Sequence, residues 1–262
     1  MRYECVTCGK DYSSKNSLRN LHYNENPSHA PDDWDECPGC GKRYHYVGSH
    51  WSHNESCVPD YTIEQENIIK GLLMGDATLR QRTKYNPRLV IPSITREYLK
   101  FLSDTFGILS TDVRLKADSD YSARKARENG LDRNATGDSY SDIYSLQLRS
   151  NRYLKKYTHW YESGEKVFPE DISLEPRTLK HWFVNDGSLI KDSYRPHLVI
   201  VTSNEIENKD KLHKMFNNIG VEIPNFTKKS IVFGVDESET LWEYMGEPLP
   251  GFKYKWPKKY HP

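Results

Sequence analysis

Two stretches far apart in the chain share one pattern. In IIKGLLMGDATL, which begins at Ile68, Ile69, Leu72 and Leu73 stand at i, i+3 and i+4, and Asp76 stands at i+7. In LKHWFVNDGSL, Leu179, Trp182, Phe183 and Asp186 repeat the arrangement, each residue 110 positions further on. The spacing predicts two helices with an apolar face. Each face ends in a carboxylate where the period calls for a buried hydrophobe. That end of a helix is the negative pole of its macrodipole, and desolvation adds to the misfit. A single Asp-Gly after a core helix, as at Asp186-Gly187, is an ordinary turn dipeptide. Two acids ending two matched stripes mark a duplication, so the chain is expected to fold as two equivalent halves.

The duplication extends beyond the stripes. RLVIPSI, a strand, and REYLKFLSDTFGI, a helix, follow Asp76; HLVIVTS and NKDKLHKMFNNIGV follow Asp186. DIYSLQLRS matches KSIVFGVDE as a further strand, and NRYLKKYTHWYESG matches SETLWEYMG as a helical stretch. Each half closes on a lysine just ahead of an aromatic-proline pair, Lys166 before Phe168-Pro169 and Lys255 before Trp256-Pro257. Only the first half carries the polar run from Lys116 to Ser141, which is too long for an ordinary loop and is therefore disordered or functional.

If the two striped helices pack side by side, Asp76 and Asp186 meet at one end. Gly71 and Gly75 permit close approach of backbones, whereas His181 and Asn185 stand at the matching positions of the second helix. Adjacent carboxylates repel unless cations sit between them. Magnesium or manganese takes such oxygen ligands, and paired divalent ions are the usual apparatus of phosphodiester hydrolysis.

The first 58 residues have a different character. All five cysteines lie there, four of them in C-x-x-C pairs, a pattern that reads as metal binding rather than as disulfides. In CPGCGKRYHYVGSHWSHNESC, Cys37, Cys40, His53 and Cys57 have the spacing of a ββα zinc finger, with Tyr44 at the aromatic position beneath the ion. His45 and His50 are then surface or packing residues. In the first module Cys5 and Cys8 are joined by His22, one residue late, and by His29, after a longer gap than usual. The rival arrangement joins Cys5 and Cys8 to Cys37 and Cys40 in a single site. About sixty residues cannot easily build a sufficient core, and tetrahedral Zn2+ would stabilise them. Lys15, Asn16 and Arg19 on the first module's helix are candidates for phosphate or base contacts.

Across 262 residues, 37 Lys and Arg balance 37 Asp and Glu, so any nucleic-acid site must come from local asymmetry. No apolar run reaches membrane-spanning length and the N-terminus is not a signal peptide, so an intracellular, cytoplasmic or nucleoid-associated, location is expected.

IKGLLMGDA and LKHWFVNDG, with the block WYESGEKVFPEDISLEPRTLKHWFVNDGSL and the terminal GFKYKWP, resemble the single-chain, two-motif LAGLIDADG homing endonucleases over about residues 61 to 262. The resemblance implies an α+β fold: a pseudo-two-fold pair of αββαββα halves, residues 59–172 and 173–262, with saddle-shaped antiparallel sheets, after zinc-binding ββα modules in residues 1–58. It implies a monomeric, divalent-metal-dependent endonuclease that cuts both strands of a long specific DNA site across the minor groove. Asp76 and Asp186 would hold Mg2+ or Mn2+, helped by the carbonyls of Gly75 and Asn185. Lys166 and Lys255 would orient the attacking water or stabilise phosphate charge. Groove-facing candidates are Arg80, Gln81, Arg82, Lys84, Arg88, Arg114, Lys116, Gln147 and Arg149 in the first half, and Lys191, Lys228 and Lys229 in the second. The competing function is a catalytically silent nucleic-acid binder, either an intron maturase or a zinc-finger regulator.

Overall fold

A computed structural model describes residues 2–81, 86–162, 164–170, 172–191, 195–202 and 206–262. The chain divides into two compact units.

The first unit comprises residues 1–60 with the segments 81–87 and 149–155. It contains two short hairpins, β1 (Tyr3–Glu4) with β2 (Asp11–Tyr12), and β3 (Asp35–Glu36) with β4 (Arg43–Tyr44). After the first hairpin the chain runs through α1 (Lys15–Ser17), a π turn at Leu18–His22, α2 (Tyr23–Glu25) and a 3-10 turn at Pro27–His29. Ser14 caps α1, its hydroxyl accepting from the Ser17 amide at 3.0 Å. After the second hairpin come α3 (Val47–Trp51) and a 3-10 turn at Glu55–Cys57. Cys5, Leu18, Tyr23 and Ala30 form a small core with Tyr3, Tyr12 and Trp34 packed against it.

The second unit holds residues 61–80, 88–148 and 156–262. Its first half runs α4 (Ile63–Met74), β5 (Thr78–Arg80), β6 (Arg88–Ser93), α5 (Arg96–Phe106), β7 (Arg114–Ala117), α6 (Ser119–Glu128) and β8 (Ile143–Leu148). A hairpin of β9 (Tyr161–Glu162) and β10 (Glu165–Lys166) follows. Its second half runs α7 (Pro176–Asp186), β11 (Gly187–Ile190), β12 (His197–Val201), α8 (Lys209–Asn217), β13 (Asn225–Phe226), β14 (Ser230–Val232) and α9 (Val235–Met245). Both sheets are antiparallel with one order, β5-β6-β8-β7 and β11-β12-β14-β13. The duplication seen in the sequence is therefore a duplication of topology.

The closing helices of the halves differ. In α9, Ser238, Leu241, Trp242 and Met245 are buried at i, i+3, i+4 and i+7, the α period. Its counterpart, Arg152–Trp160, is 3-10, and its buried Leu154, Tyr157 and Trp160 recur every third residue, the period of that helix. The polar run from Lys116 to Ser141 contains the helix α6 and a 3-10 turn at Gly137–Ser139, joined by an irregular segment. Asp118 caps α6, accepting from the Tyr121 amide at 2.6 Å, and Ala123, Ala126 and Ala135 give it a small core of its own.

The striped helices α4 and α7 pack against each other. Thr62 and Gln65 form a reciprocal capping box at the start of α4, and Pro176 occupies the first turn of α7. A methyl at Gly71 would stand 2.8 Å from His181 Cβ, and one at Gly75 would stand 2.6 Å from Asn185 Cβ. Only glycine fits at these two places, which explains why bulk is confined to one helix of the pair. Ile68, Ile69, Leu72, Leu73, Leu179, Trp182 and Phe183 are fully buried. The helix-to-helix contact itself runs through Gly71, Gly75, Thr178, His181 and Asn185, whereas Trp182 and Phe183 pack on Phe216 and Trp256 of their own half. At about 1.5–3 kcal/mol for each large apolar side chain buried, the stripes are a major source of the unit's stability.

Candidate active centre and metal-ligating clusters

The carboxylates leave the helix pair from adjoining backbone positions. Asp186 is the last residue of α7 and is half-buried, with the Trp182 indole donating to its Oδ2 at 3.2 Å. Asp76 lies beyond the end of α4 and is exposed. The expectation that both acids lie on the buried face is thus corrected. The chain turns at Gly75 (φ −90°, ψ −140°), and the helical period no longer applies to the next residue. Water reaches the carboxylates and offsets part of their electrostatic misfit.

Both predicted lysines reach this end of the pair. Lys166 Nζ donates to the carbonyls of Gly75 at 2.6 Å and Ala77 at 3.2 Å. Lys255 Nζ donates to the Val184 carbonyl at 2.7 Å and lies 5.3 Å from the Phe252 ring centre. Burial pushes Lys255 from its ordinary 10.5 down to about 8, and the negative charges of Asp186 and Asp76 oppose that shift. One ammonium therefore feels both acids. A cavity of about 360 Å³ opens here, lined by Asp76, Asn185, Lys255 and Tyr254 among others; Asp186 is outside its lining. The donor set is all oxygen and suits a hard divalent cation. Of the two carbonyls expected to assist, that of Gly75 already accepts from Lys166.

A buried polar chain backs the centre. Tyr98 Oη and His181 Nδ1 are 2.7 Å apart, and the Asn185 amide donates to the His181 carbonyl at 2.6 Å. Burial, reinforced by Lys180 and Arg177, lowers His181 to about 3, so its ring is neutral between the halves.

Register decides which candidate contact residues share a face. In the first sheet Leu89, Ile91, Leu146 and Leu148 point into the core. Arg80 opposite Arg88, Gln147 opposite Val90, and Arg114 opposite Ser145 stand on the other side. Two arginines facing each other across a ladder repel, and an anion would relieve them. Arg80, Arg88, Arg114 and Lys116 are exposed, as are Gln81, Lys191, Lys228 and Lys229. Arg82 and Lys84 lie outside the described residues. Arg149 is committed elsewhere. Only 11 % exposed, it pairs with Asp35 at 3.0 Å and stacks over the Tyr46 ring at 5.2 Å, within the cysteine-bearing unit. That engagement corrects its assignment as a free groove contact.

The rival four-cysteine site is not formed. The structure holds two separate clusters, Cys5, Cys8, His22, His29 and Cys37, Cys40, His50, Cys57, each with its ligand atoms within 4.8 Å of one another. In the first, His22 Nε2 lies 3.4 Å from Cys8 Sγ and 3.3 Å from His29 Nδ1. The late histidine is accommodated by the π turn at Leu18–His22, which absorbs extra residues before the ligand. In the second cluster His50, not the expected His53, stands with the three cysteines. α3 ends at Trp51, so His53 falls outside the helix and is exposed, whereas His50 Nε2 lies 3.5 Å from Cys40 Sγ and its ring stacks on Tyr44 at 4.0 Å.

A sequence signal for His50 exists. HYNENPSHAPD, from His22, and HWSHNESCVPD, from His50, align residue for residue, pairing Asn26 with Asn54, His29 with Cys57 and Pro31 with Pro59. The knuckles ECVTCGKDY and ECPGCGKRY align as well, with Gly9 and Gly41 both at positive φ. The supporting contacts repeat too. Asn26 and Asn54 donate to the carbonyl of their module's histidine, and the aromatic that follows each histidine, Tyr23 or Trp51, hydrogen-bonds the first cysteine. Two cysteines with two histidines, and three cysteines with one histidine, are donor sets for a tetrahedral ion.

The sequence profile of the LAGLIDADG DNA endonuclease family matches residues 66–241. The chain belongs to that family. The uncharacterized protein MJ1098 of Methanocaldococcus jannaschii is 23% identical over 163 residues, 58% of this chain, which spans 58% of that relative. The structure of the homing endonuclease I-WcaI bound to its DNA recognition sequence superposes with a TM-score of 0.61 at 15% identity, covering 79% of this chain and 90% of that one. The N-terminal LAGLIDADG domain of DUF199/WhiA gives a TM-score of 0.39 at 12% identity, covering 75% of this chain and 88% of that one. Among the described residues no helix is long and apolar enough to cross a membrane.

Proposed function

We propose that the chain is a divalent-metal-dependent endonuclease that acts as a monomer and cuts both strands of a long specific duplex site. Asp76 and Asp186 would hold Mg2+ or Mn2+. A divalent ion bound there would polarise the phosphodiester and lower the pKa of the attacking water. Lys255, tied to Val184, and Lys166, tied to Gly75 and Ala77, would orient that water and stabilise phosphate charge as the bond breaks. The observation that supports the reading is the close approach of Gly75 and Asn185, the residues that precede Asp76 and Asp186, with Lys166 and Lys255 bonded to carbonyls of the same two helix ends. The Cys/His clusters would hold Zn2+ in a structural role, because each donor set is complete without a water position.

One feature favours a binder without nuclease activity: the Lys166 ammonium already occupies the Gly75 carbonyl that a metal would share. A plasmid-library cleavage assay in magnesium separates the two. Cutting by the parent and loss of cutting in Asp76→Asn and Asp186→Asn is the expected result; equal nicking by all three proteins would end the nuclease reading.

A further inference from the structure

A second cavity, of about 430 Å³, lies beside the active centre and is lined by Lys191, Arg195, Lys253 and Lys258 together with Leu189, Pro196, Tyr254, Trp256, Pro257 and His261. No described carboxylate lines it. Several lysines elsewhere are neutralised in ion pairs, Lys125 with Glu128, Lys155 with Glu55, Lys211 with Glu170, and Lys259 with Glu239. Among the described residues none of the four cations around the cavity is in an ion pair. Like charges gathered without counter-charges repel, and a polyanion offsets the repulsion by bringing its own.

The cavity is joined to the active centre through the backbone. The 3-10 turn Lys253–Lys255 exposes Lys253 on one side and buries Lys255 on the other, and Tyr254 forms a wall of both cavities. The Trp256 indole donates to the Gly246 carbonyl at 3.0 Å, and the His261 ring lies 2.8 Å from the Lys253 carbonyl, so the segment that bears both lysines is anchored.

We propose that this trough is a phosphate grip for duplex DNA: Lys253 and Lys258, with Lys191 and Arg195, hold backbone phosphates next to the one that reaches Lys255. The inference rests on the DNA-cleavage reading for its partner but not on cleavage itself, and its test reads binding alone.

The probe is a 30-base-pair duplex of mixed sequence, bound by full-length protein without magnesium and measured by fluorescence anisotropy from 50 to 300 mM KCl. Lys253→Ala with Lys258→Ala should lower the slope of log affinity against log salt by about 0.9 for each phosphate no longer neutralised, about 1.8 for the pair. Affinity at the lowest salt should fall by roughly ten- to a hundredfold. Lys259→Ala, which removes an equal charge already paired to Glu239, should leave the slope unchanged. Both lysines are exposed, so the fold is expected to survive, and circular dichroism checks it. An unchanged slope in the double variant, or an equal fall in Lys259→Ala, would overturn the grip. So would a thermal shift by inorganic phosphate that the double variant loses while its DNA slope holds, since that places a free phosphate in the trough. Equal nicking by the aspartate variants with the slope change intact would sink the nuclease reading and leave the grip standing.

Discussion

The chain contains two duplications, and they diverged in opposite ways. In the larger unit the repeats kept their register: every stripe residue and both aspartates recur at a spacing of 110, and both sheets have one strand order. Their chemistry moved apart. Asp186 accepts from an indole while Asp76 stands exposed; Lys255 is buried while Lys166 is half-buried; and the facing pair Arg80 and Arg88 of the first sheet has Ile190 and His197 in its place in the second. In the cysteine-bearing unit the repeats lost register, because the first copy's helical stretch, π turn included, puts four more residues between knuckle and histidine. Their chemistry stayed close: Cys57 stands where the first copy has His29, but four nitrogen or sulfur donors and a supporting asparagine and aromatic recur at each cluster. Register is thus a guide to topology, and ligand chemistry has to be read from the contacts that hold it.

The largest expected effect tests the conserved side of this contrast. His50→Ala should remove one equivalent of zinc and melt the second module, since a structural zinc contributes about 10–16 kcal/mol of apparent binding energy in small fingers. His53→Ala should do neither. Zinc content by mass spectrometry under native conditions distinguishes them, and loss of metal from His53→Ala alone would restore the finger spacing expected from the sequence.

The next effect tests the divergent side. Asp76→Asn and Asp186→Asn should each lower double-strand cleavage by on the order of a thousandfold, the scale for removing a principal electrostatic stabiliser. Gel separation of nicked from linear plasmid reports whether the centres act together. A variant that still nicks one strand at the parent rate would make them independent.

A smaller effect belongs to Trp182. Trp182→Phe removes the donor to Asp186, and its first-half counterpart, Leu72, offers none. Losing one hydrogen bond to a carboxylate costs about 1.5–3 kcal/mol at most, and a half-buried acid recovers part of it from water. A raised magnesium requirement with little change in the saturated rate is expected; an unchanged magnesium titration would remove Trp182 from the centre.

The smallest is a pH effect. Burial, helped by Arg177 and opposed by Glu247, lowers Lys180 from 10.5 to about 8, and its ammonium donates to the Glu247 carbonyl at 2.9 Å. Between those values the unfolded chain holds a proton that the native state has released, so stability rises with pH across that window. Lys180→Met should flatten the rise in denaturant midpoint from pH 8 to 10.5; a slope equal to the parent's would refute it. Lys255 contributes to the same window and remains in that variant.

Much of the larger unit was legible in the sequence, because a period of three and four, repeated twice, leaves few ways to pack. The stripes gave α4 and α7, and the matched ends gave Lys166 and Lys255. The burial of Asp76 was misjudged because periodicity cannot show where a helix stops, and Gly75 ended α4 before the stripe was complete. The helix inside the polar run is not legible because α6 buries only alanines, which leave no strong apolar signal. His50 was missed because the spacing of a familiar finger was applied to a module whose helix ends at Trp51, although alignment against the first module contains the answer. Arg149 was misassigned because an alternating strand cannot show that Asp35 stands within reach.

The central claim is that Asp76 and Asp186 together form one divalent-metal centre. Calorimetric titration of Mn2+ into the zinc-loaded full chain tests it without a target sequence. The account predicts saturable binding by the parent and at least a tenfold loss of affinity in both Asp76→Asn and Asp186→Asn, on the scale of removing one carboxylate ligand. Isotherms from both variants that overlay the parent's would contradict it.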